Sequence, residues 1–285
     1  MGNNVTKLNE ITIIIKGAGE MASGVAWRLY MANFKHILML ETARPVAVRR
    51  EVSYCEAVHD GSKTVEGVKA IAAGTVKDIH AAWAQGDIAV AADPQWHLLG
   101  KIQPQVVVDA ILAKKNLGTR LKDAGLVVGL GPGFEAGKDV HMVIETNRGH
   151  DLGRIITFGF AEPNTGVPGD IAGFAGERVL RSPAEGSFNT RKTIGDLVSA
   201  NEVIGAVAGH KVSSKIDGVL RGLIRPETLV TRGLKIGDVD PRGQRQYCAT
   251  ISEKARAIAG SVLEAILRKY NIGINAEPAP EDGRK

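Results

Sequence analysis

The chain of 285 residues is long enough for one large domain or two ordinary ones, and a hydrophobic content of 44% is enough for a real core. Its net charge of +5 is dispersed, which favours a small anionic ligand and argues against nucleic-acid binding. No apolar run approaches the length of a membrane span and no signal-type segment is seen, so we expect a cytoplasmic protein without membrane contact. The 2 cysteines form no metal-spaced motif, and we expect no metal site.

The first strong pattern is a strand, a glycine turn and a helix. Residues 11–16 are mostly β-branched, and a Gly-x-Gly-x-x-Ala turn follows before a helical pattern begins. That order is typical of a dinucleotide fingerprint, in which the second glycine lets the backbone approach a phosphate. The sequence therefore predicts nucleotide or phosphate binding by this turn, or else a turn that is glycine-rich only for packing. The turn consists of Gly17, Ala18, Gly19, Glu20, Met21 and Ala22.

A second buried strand ends in an acid at the position expected of a ribose-binding carboxylate. Glu41 lies 22 residues after Gly19, and Arg44 follows it closely. Arginines here could pair with the extra phosphate of a phosphorylated dinucleotide, or they could form the solvated face of a short helix. Glu20 is a caution, because a carboxylate beside a pyrophosphate repels it unless it points away.

Further strands, predicted at residues 87–91, 106–112 and 126–130, alternate with helices or loops and indicate a mainly parallel sheet. Ligands of such sheets collect beyond the carboxyl ends of the strands. Asp109 ends one strand as an acid–base candidate with a shifted pKa, or as a structural ion pair with Lys114 or Lys115. The same edge is predicted to hold Lys114, Lys115, Asn116 and a loop with Gly131 and Gly133 whose amides could hold an anion.

Residues 141–150 alternate polar and apolar side chains before they turn. His141 and Glu145 share one face of the predicted strand and lie about 13 Å apart, so a ligand could lie between them. The simpler interpretation is a half-exposed strand. The polar loop that follows, with Arg148, could hold a substrate.

A Pro/Gly-rich segment predicts that an α/β domain over residues 11–165 ends there, and an internal repeat follows. At an offset of 32 residues Ser182 aligns with Ser214, Leu197 with Leu229 and Ile204 with Ile236, which predicts a pseudo-twofold β-rich domain over residues 180–243. The pattern resembles the two halves of a biotinyl/lipoyl-type barrel-sandwich, although Lys211 lacks the neighbours of a modified lysine. We expect this domain to be a lid, a docking module or a dimer surface.

The end of the chain has a helical pattern over residues 250–271, opened by a capping box of Thr250 and Glu253. Cys248 precedes this helix, where a thiolate is favoured, so it is either a reactive thiol or an inert buried cysteine. Residues 1–10 and 272–285 are predicted to be flexible tails. The predicted fold class is thus α/β: a Rossmann-like, mainly parallel sheet domain, a small β-rich barrel-sandwich-like domain and a C-terminal helix.

Six segments together resemble one known family, the selenium-dependent molybdenum hydroxylase system proteins of the YqeB type. They are residues 15–22, 108–116, 129–134, 141–150, 218–223 and 235–242. The family often carries Asp where this chain has Glu20. The resemblance implies a cytoplasmic accessory protein that helps to mature molybdenum hydroxylases with a selenium-containing cofactor, and it implies the apo-hydroxylase as a partner.

This resemblance suggests a molybdopterin-type cofactor as ligand of the glycine turn, with NAD(P) as the other candidate. Lys114, Lys115 and Arg148 would neutralise phosphate, and Cys248 would receive sulfur or selenium. Two alternatives stay open: an NAD(P)-dependent oxidoreductase that uses Glu41 or Arg44, and a non-enzymatic cofactor chaperone that docks through the repeat. Whether the chain is an enzyme and whether it forms a homo-oligomer also stay open. The acid–base or cofactor-handling groups would be Asp109, His141 and Glu145.

Overall fold

A large sheet organises the first part of the chain in the computed structural model, which describes residues 7–271. Its order is β10-β9-β7-β6-β1-β2-β5-β4-β3, and β8 pairs separately with β11. The inner strands are isoleucine- and valine-rich and buried on both faces, as strands covered on both sides must be. The strands are β1 (Thr12–Lys16), β2 (His36–Glu41), β3 (Ser62–Val65), β4 (Val68–Ala72), β5 (Ile88–Ala92), β6 (Val106–Asp109), β7 (Leu126–Leu130), β8 (Glu135–Ala136), β9 (Met142–Ile144), β10 (Ile155–Ile156) and β11 (Gly159–Phe160).

The pairings place a topological switch point at β1. Neighbouring strands pair in parallel along the sheet order β4, β5, β2, β1, β6, β7 and β9. The strands β2 and β6 lie on opposite sides of β1. Their connections therefore leave β1 in opposite directions, which opens a crevice beyond its carboxyl end. The edge strands β3 and β10 pair antiparallel, so the sheet is mixed.

Helices cover both faces of this sheet. The helix α5 packs on α1, and the close approach is visible at Gly24, where a Cβ would lie 3.0 Å from the Ala255 Cβ. Among the described residues, none of the helices has the length and apolar character needed to cross a bilayer. The helices are α1 (Glu20–Met31), α2 (Glu56–Asp60), α3 (Val76–Ala84), α4 (His97–Ile102) and α5 (Glu253–Tyr270).

The repeat forms two four-stranded antiparallel sheets around one core. The sheets have the orders β12-β19-β17-β14 and β16-β15-β13-β18. The repeat is visible in the hydrogen bonds: Ser182 Oγ donates to the Ala184 carbonyl at 2.5 Å, and Ser214 Oγ donates to the Ile216 carbonyl at 2.6 Å. The strands are β12 (Val179–Arg181), β13 (Gly186–Asn189), β14 (Leu197–Val198), β15 (Val203–Val207), β16 (His210–Ser213), β17 (Gly218–Leu223), β18 (Leu229–Val230) and β19 (Lys235–Asp240).

The predicted fold class is wrong in two respects. The first sheet is mixed because antiparallel strands close both of its edges, and the repeat builds two antiparallel sheets in place of a lipoyl-type barrel-sandwich. The predicted C-terminal helix is present as α5, and its apolar face packs on α1. Alternating apolar residues identify strands, but they do not specify how sheets pair or close.

The predicted ends of the chain differ in detail. The helix α5 begins after Ser252, whose Oγ accepts the Ala255 N–H, and the predicted Thr250 cap is not used. Residues 8–10 of the predicted flexible N-terminus form one 3-10 turn. Residues 1–6 and the predicted tail over residues 272–285 lie outside the described part.

Gly17 should be essential to the fold. Its φ is +92°, and a Cβ there would lie 3.2 Å from the Ala110 carbonyl oxygen. We expect Gly17→Ala to lower the free energy of unfolding by about 1–3 kcal/mol, measured by urea denaturation. The control is Gly19→Ser, because Gly19 has extended dihedrals and serine is a favoured N-cap residue. Equal stability of the two variants would contradict the strained turn.

Candidate functional site

The glycine turn leads from β1 into α1 at the switch point. The Gly17 N–H donates to the Leu40 carbonyl at 2.7 Å, and Glu41 Oε2 accepts the Ala18 N–H at 2.9 Å. The Glu41 carboxylate therefore lies against the turn, and its Oε1 also accepts the Thr42 N–H at 2.8 Å. Its contact with a ribose stays a prediction. Gly19 is the N-cap residue of α1, and a Cβ there would meet no described atom within 4 Å. The turn is thus open to solvent at the point where the first N–H groups of α1 lack intrahelical partners.

The carboxylate of Glu20 is held by other side chains. Its Oε1 accepts hydrogen bonds from Arg49 Nη1 at 3.2 Å and from Ser252 Oγ at 2.9 Å. Arg49 is buried and also donates to the Tyr247 carbonyl at 2.8 Å. Burial lowers the pKa of Arg49, while the charge of Glu20 opposes that shift. The repulsion expected between Glu20 and a bound phosphate is reduced by these partners.

A cleft of about 890 Å³ lies beside the turn, between the carboxyl edge of the large sheet and the repeat. Glu20 and Met21 of the turn form part of its wall, and Ala22 is buried behind them. Cations outnumber carboxylates among the described residues that line it. The cations are Arg49, Lys114, Arg148, Arg178, Arg221, Lys235 and Lys254, and the carboxylates are Glu20, Glu162, Asp170 and Asp238.

Three cations of the wall have no buried carboxylate as an ion-pair partner among the described residues. Arg148 pairs with the exposed Glu253 at 2.5 Å, and Lys114 Nζ lies beside the Asn164 side-chain amide, whose oxygen would accept its hydrogen bond at 3.1 Å once the amide is turned over. Lys254 stands on the first turn of α5, and none of the described carboxylates forms an ion pair with it. Burial and then Arg148 lower the pKa of Lys254, since both disfavour its charge. An anion in the cleft would relieve that cost.

The floor of the cleft is an ion-pair network that is already neutralised. Asp238 is fully buried and pairs with Arg178, with Arg221 Nε at 2.9 Å and with Lys235 Nζ at 3.2 Å. Burial alone would raise the pKa of Asp238, but the three cations together hold that pKa below its ordinary value. This network continues to Asp240. The floor therefore joins neighbouring strands of one antiparallel sheet, and the cations without a buried counter-ion lie on the wall.

His141 and Glu145 do not form one site. They flank β9 at opposite ends, and His141 Nδ1 accepts the Val127 N–H at 3.0 Å at the amino end of the sheet. Burial lowers the pKa of His141. Glu145 is buried at the other end and accepts the N–H groups of Thr146 and Asn147, each at 2.6 Å. Its carboxylate shapes the loop that forms the cleft wall, and the expectation that both residues face one ligand is corrected.

Asp109 lies in a buried network that includes a lysine missed by the sequence analysis. Its Oδ2 accepts the Thr119 hydroxyl at 2.6 Å, and Lys16 Nζ donates to that same hydroxyl oxygen at 2.8 Å and to Asp123 at 3.0 Å. Burial raises the pKa of Asp109 and lowers the pKa of Lys16. The predicted partners Lys114 and Lys115 are replaced by this network. The sequence did contain a sign of this network, because Lys16 ends an otherwise apolar strand and a buried lysine needs polar partners.

Most of the remaining predicted ligand residues form hydrogen bonds or packing contacts within the protein. Asn116 Oδ1 accepts the Gly118 and Thr119 N–H groups and closes its own loop. The Gly131 N–H donates to the Ile144 carbonyl at 2.8 Å, so it is not available to an anion. A Cβ on Gly133 would lie 2.6 Å from the Lys115 backbone nitrogen, which explains this glycine by close packing of two loops. Arg44 and the Lys115 side chain are exposed and lie outside the cleft wall.

Cys248 is buried, and its surroundings disfavour a thiolate. Its Sγ lies 3.7 Å from the Leu220 carbonyl oxygen in a 3-10 turn that precedes α5. Burial raises the pKa of the Cys248 thiol, despite the neighbouring charges of Arg49 and Arg221. Cys55 is also buried, and burial likewise raises its pKa. The inert interpretation therefore fits both cysteines better than the reactive one.

Comparison with known proteins gives one relative of close sequence. The chain is 47% identical over 264 residues to the "Uncharacterized protein YqeB" of Escherichia coli (strain K12), a match that covers 93% of this chain and 49% of that protein. This chain therefore spans about half the length of the curated relative that it matches. This similarity supports a relationship to the YqeB family, and it gives no information on selenium or molybdenum. No protein-family model matches the chain.

Solved structures show only a remote likeness. An aspartoacylase family protein from Mesorhizobium loti aligns over 80% of this chain and 84% of its own, with 11% identity and a TM-score of 0.27. A succinylglutamate desuccinylase/aspartoacylase from Rhodobacter sphaeroides has the same coverage, 14% identity and a TM-score of 0.25. At these TM-scores the likeness carries no conclusion about this chain.

Asp238→Asn should destabilise the protein by about 3–5 kcal/mol at neutral pH, because it leaves buried cations without their counter-charge. The folded-state pKa lies below the unfolded value, so this contribution is complete above the unfolded pKa and is lost as the pH falls through the folded pKa. The difference from wild type should shrink below about pH 4. Urea denaturation from pH 7 to pH 3 measures it, with the exposed Glu185→Gln as control. If the difference in unfolding free energy between Asp238→Asn and wild type did not change with pH, the proposed contribution of the ion pairs would be wrong.

Both thiols should react slowly with a disulfide reagent in the native protein, because burial hides them and favours the protonated form. The measurement is the rate of thiol release with an aromatic disulfide at pH 8, before and after unfolding in urea. We expect the native rate to be lower by at least about tenfold. Rapid native modification that Cys248→Ser abolishes would restore the reactive-thiol hypothesis.

Proposed function

We propose that the chain is an accessory protein that holds a phosphate-bearing ligand, nucleotide-like or of the molybdopterin type, in the large cleft beside the glycine turn. The observation that carries the proposal is the open space at Gly19, next to a cleft wall with available cations. Its place in the maturation of selenium-dependent molybdenum hydroxylases is supported by the sequence resemblance, and the ligand site is supported by the geometry.

The fold itself does not require a glycine at position 19. The residue has a φ of −72° and a ψ of −173°, which any amino acid adopts, and a Cβ would meet no described atom within 4 Å. This contrasts with Gly17, where the backbone conformation and the Ala110 carbonyl both exclude a side chain. A backbone that a phosphate approaches closely does need a glycine. Ligand binding therefore explains what packing leaves unexplained at Gly19.

Two helix N-termini face the same cleft. Glu20 and Met21 belong to the first turn of α1, and Ser252 and Lys254 belong to the start of α5. The positive ends of both helix dipoles favour an anion there, and the ammonium group of Lys254 adds to them. A ligand with several negative charges would be bound more strongly than a single phosphate. Its affinity should also fall with salt, as for other charged ligands.

A molybdopterin-type group fits the cations of the wall, and Lys114, Arg148 and Lys254 would hold its phosphate groups. We assign the chain the role of holding this group as cargo. Receipt of sulfur or selenium by Cys248 does not fit, because the thiol is buried and its pKa is raised. The proposal therefore routes no transfer step through that residue.

One observation favours a second candidate, an NAD(P)-dependent oxidoreductase. Glu41 ends β2 and contacts the turn through the Ala18 N–H, which is the place of a carboxylate that binds a nicotinamide dinucleotide ribose. Arg44 is exposed nearby and could reach a ribose phosphate. Binding of NAD or NADP alone, with reduction or oxidation of the nicotinamide, would favour this candidate. Binding of the molybdenum cofactor without turnover would favour the accessory role and its cofactor-chaperone form.

Gly19→Ser and Lys254→Met are the decisive variants. We expect each to lower the affinity for the bound ligand by about tenfold or more, because the first fills the phosphate space and the second removes a charge. Binding is measured by calorimetry with pyrophosphate, CTP, NAD, NADP and molybdenum cofactor. Lys269→Met, on the exposed end of α5, is the matched control. Wild-type affinity in Gly19→Ser would sink the proposal, since serine is a favoured N-cap residue and leaves the fold intact.

A further inference from the structure

A second cavity, of about 410 Å³, opens at the carboxyl ends of β4 and β5. Its lining includes small apolar residues of β4 and β5 and of the loop after β4, namely Ala72, Gly74, Val90 and Ala92. Asp93, His97 and Lys101 supply its charged and polar lining, which is called the rim. Cavities of this size commonly bind small molecules, and this one takes no part in the cleft described above.

Contacts along the sheet edge connect this cavity to the glycine turn through Glu41. Ala92 is the partner of Glu41 in the parallel register of β5 and β2, and the Asp93 N–H donates to the Glu41 carbonyl at 3.0 Å. On its other side, the Glu41 carboxylate accepts the Ala18 N–H at 2.9 Å. Ala18 is two residues from Glu20, which lines the large cleft. Glu41 therefore lies between the two cavities, and the turn lies between Glu41 and the large cleft.

We propose that the second cavity receives the nucleobase of the ligand, so that the ligand is a nucleotide or dinucleotide. Its ribose lies at Glu41, and its phosphates lie at Gly19. The other half of a dinucleotide extends into the large cleft. This inference rests on the proposed function, and it restricts the ligand class from phosphate-bearing compounds in general to those with a base.

The chemistry of the walls suits an aromatic heterocycle. Small side chains from two neighbouring strands leave a slot against the sheet in which one face of a flat ring can be buried without a competing side chain. The rim supplies polar atoms for the edge of the ring. Asp93 is held in place because its Oδ2 accepts the Leu98 N–H at 2.7 Å, and its Oδ1 lies 3.5 Å from His97 Nδ1. A bare diphosphate has no ring to bury against these apolar side chains.

The test compares probes with and without a base. Ala92 and Ala72 are exposed and line the slot, so Ala92→Trp and Ala72→Phe should fill it without disturbing the core. Calorimetry is run with AMP, CMP and GMP as nucleotide probes and with inorganic pyrophosphate as the probe that lacks a base. The matched control is Ala81→Trp, an exposed position on α3 that lines neither cavity. Thermal unfolding of each variant confirms that it is folded.

We expect wild type to bind at least one nucleotide more tightly than pyrophosphate. Ala92→Trp and Ala72→Phe should each lose tenfold or more of the nucleotide affinity while they retain the pyrophosphate affinity, and Ala81→Trp should lose neither. Unchanged nucleotide affinity in both slot variants would overturn the base site and leave the phosphate site standing. Absence of nucleotide binding to wild type also overturns it. Loss of pyrophosphate binding in Gly19→Ser, measured separately, reports on the proposed function alone.

Discussion

The buried guanidinium of Arg49 is the contact on which the arrangement of the cleft depends. It donates to Glu20 at the start of α1 and to the carbonyls of Tyr247 and Thr250, which precede α5. One side chain thereby ties the first turn of α1 to the segment that leads into α5. Because Glu20 is occupied by Arg49 and Ser252, its negative charge is partly balanced where an anionic ligand would otherwise be repelled. A charge buried to this degree is tolerated only with such partners.

The cations that line the cleft fall into two groups, those paired with a buried carboxylate and those without such a partner. Arg178 and Arg221 meet buried Asp238, and this network joins the antiparallel strands β12, β17 and β19. Lys254, by contrast, stands on the wall beside Arg148, in surroundings that disfavour its charge. Burial therefore contributes to stability at Asp238 and to ligand attraction at Lys254. It raises the cost of leaving Asp238 unpaired, and it strengthens the attraction of Lys254 for an anion that excludes water. Stability and ligand binding are thus carried by different members of one cationic lining.

Features that depend on short stretches of sequence could be predicted. The isoleucine-rich strand before Gly17 and the carboxylate at the end of β2 follow from local periodicity and spacing, and the structure brings Gly17, Glu41 and the start of α1 together. Features that depend on distant pairing could not. His141 and Glu145 share a strand face in the sequence, but a strand has two ends, and only the second reaches the carboxyl edge of the sheet. Lys254 had no local signal at all, because its position in the cleft is created by the packing of α5 on α1.

The same distinction explains why the repeat was recognised while its architecture was not. Paired serines, Ser182 and Ser214, make equivalent hydrogen bonds, so each half forms its turns from local sequence. The halves assemble through strand pairings between them, β13 with β18 and β14 with β17, which local sequence does not specify. The repeat also contacts the first unit, where Arg50 Nε donates to the Leu223 carbonyl at 2.7 Å. Arg225 extends these contacts to buried Glu56 at 2.8 Å. The repeat is therefore docked on the segment that follows β2, and this docking places the Asp238 network opposite the glycine turn. The cleft exists because two locally encoded units meet there, and the chemistry of the ligand site belongs to neither unit alone.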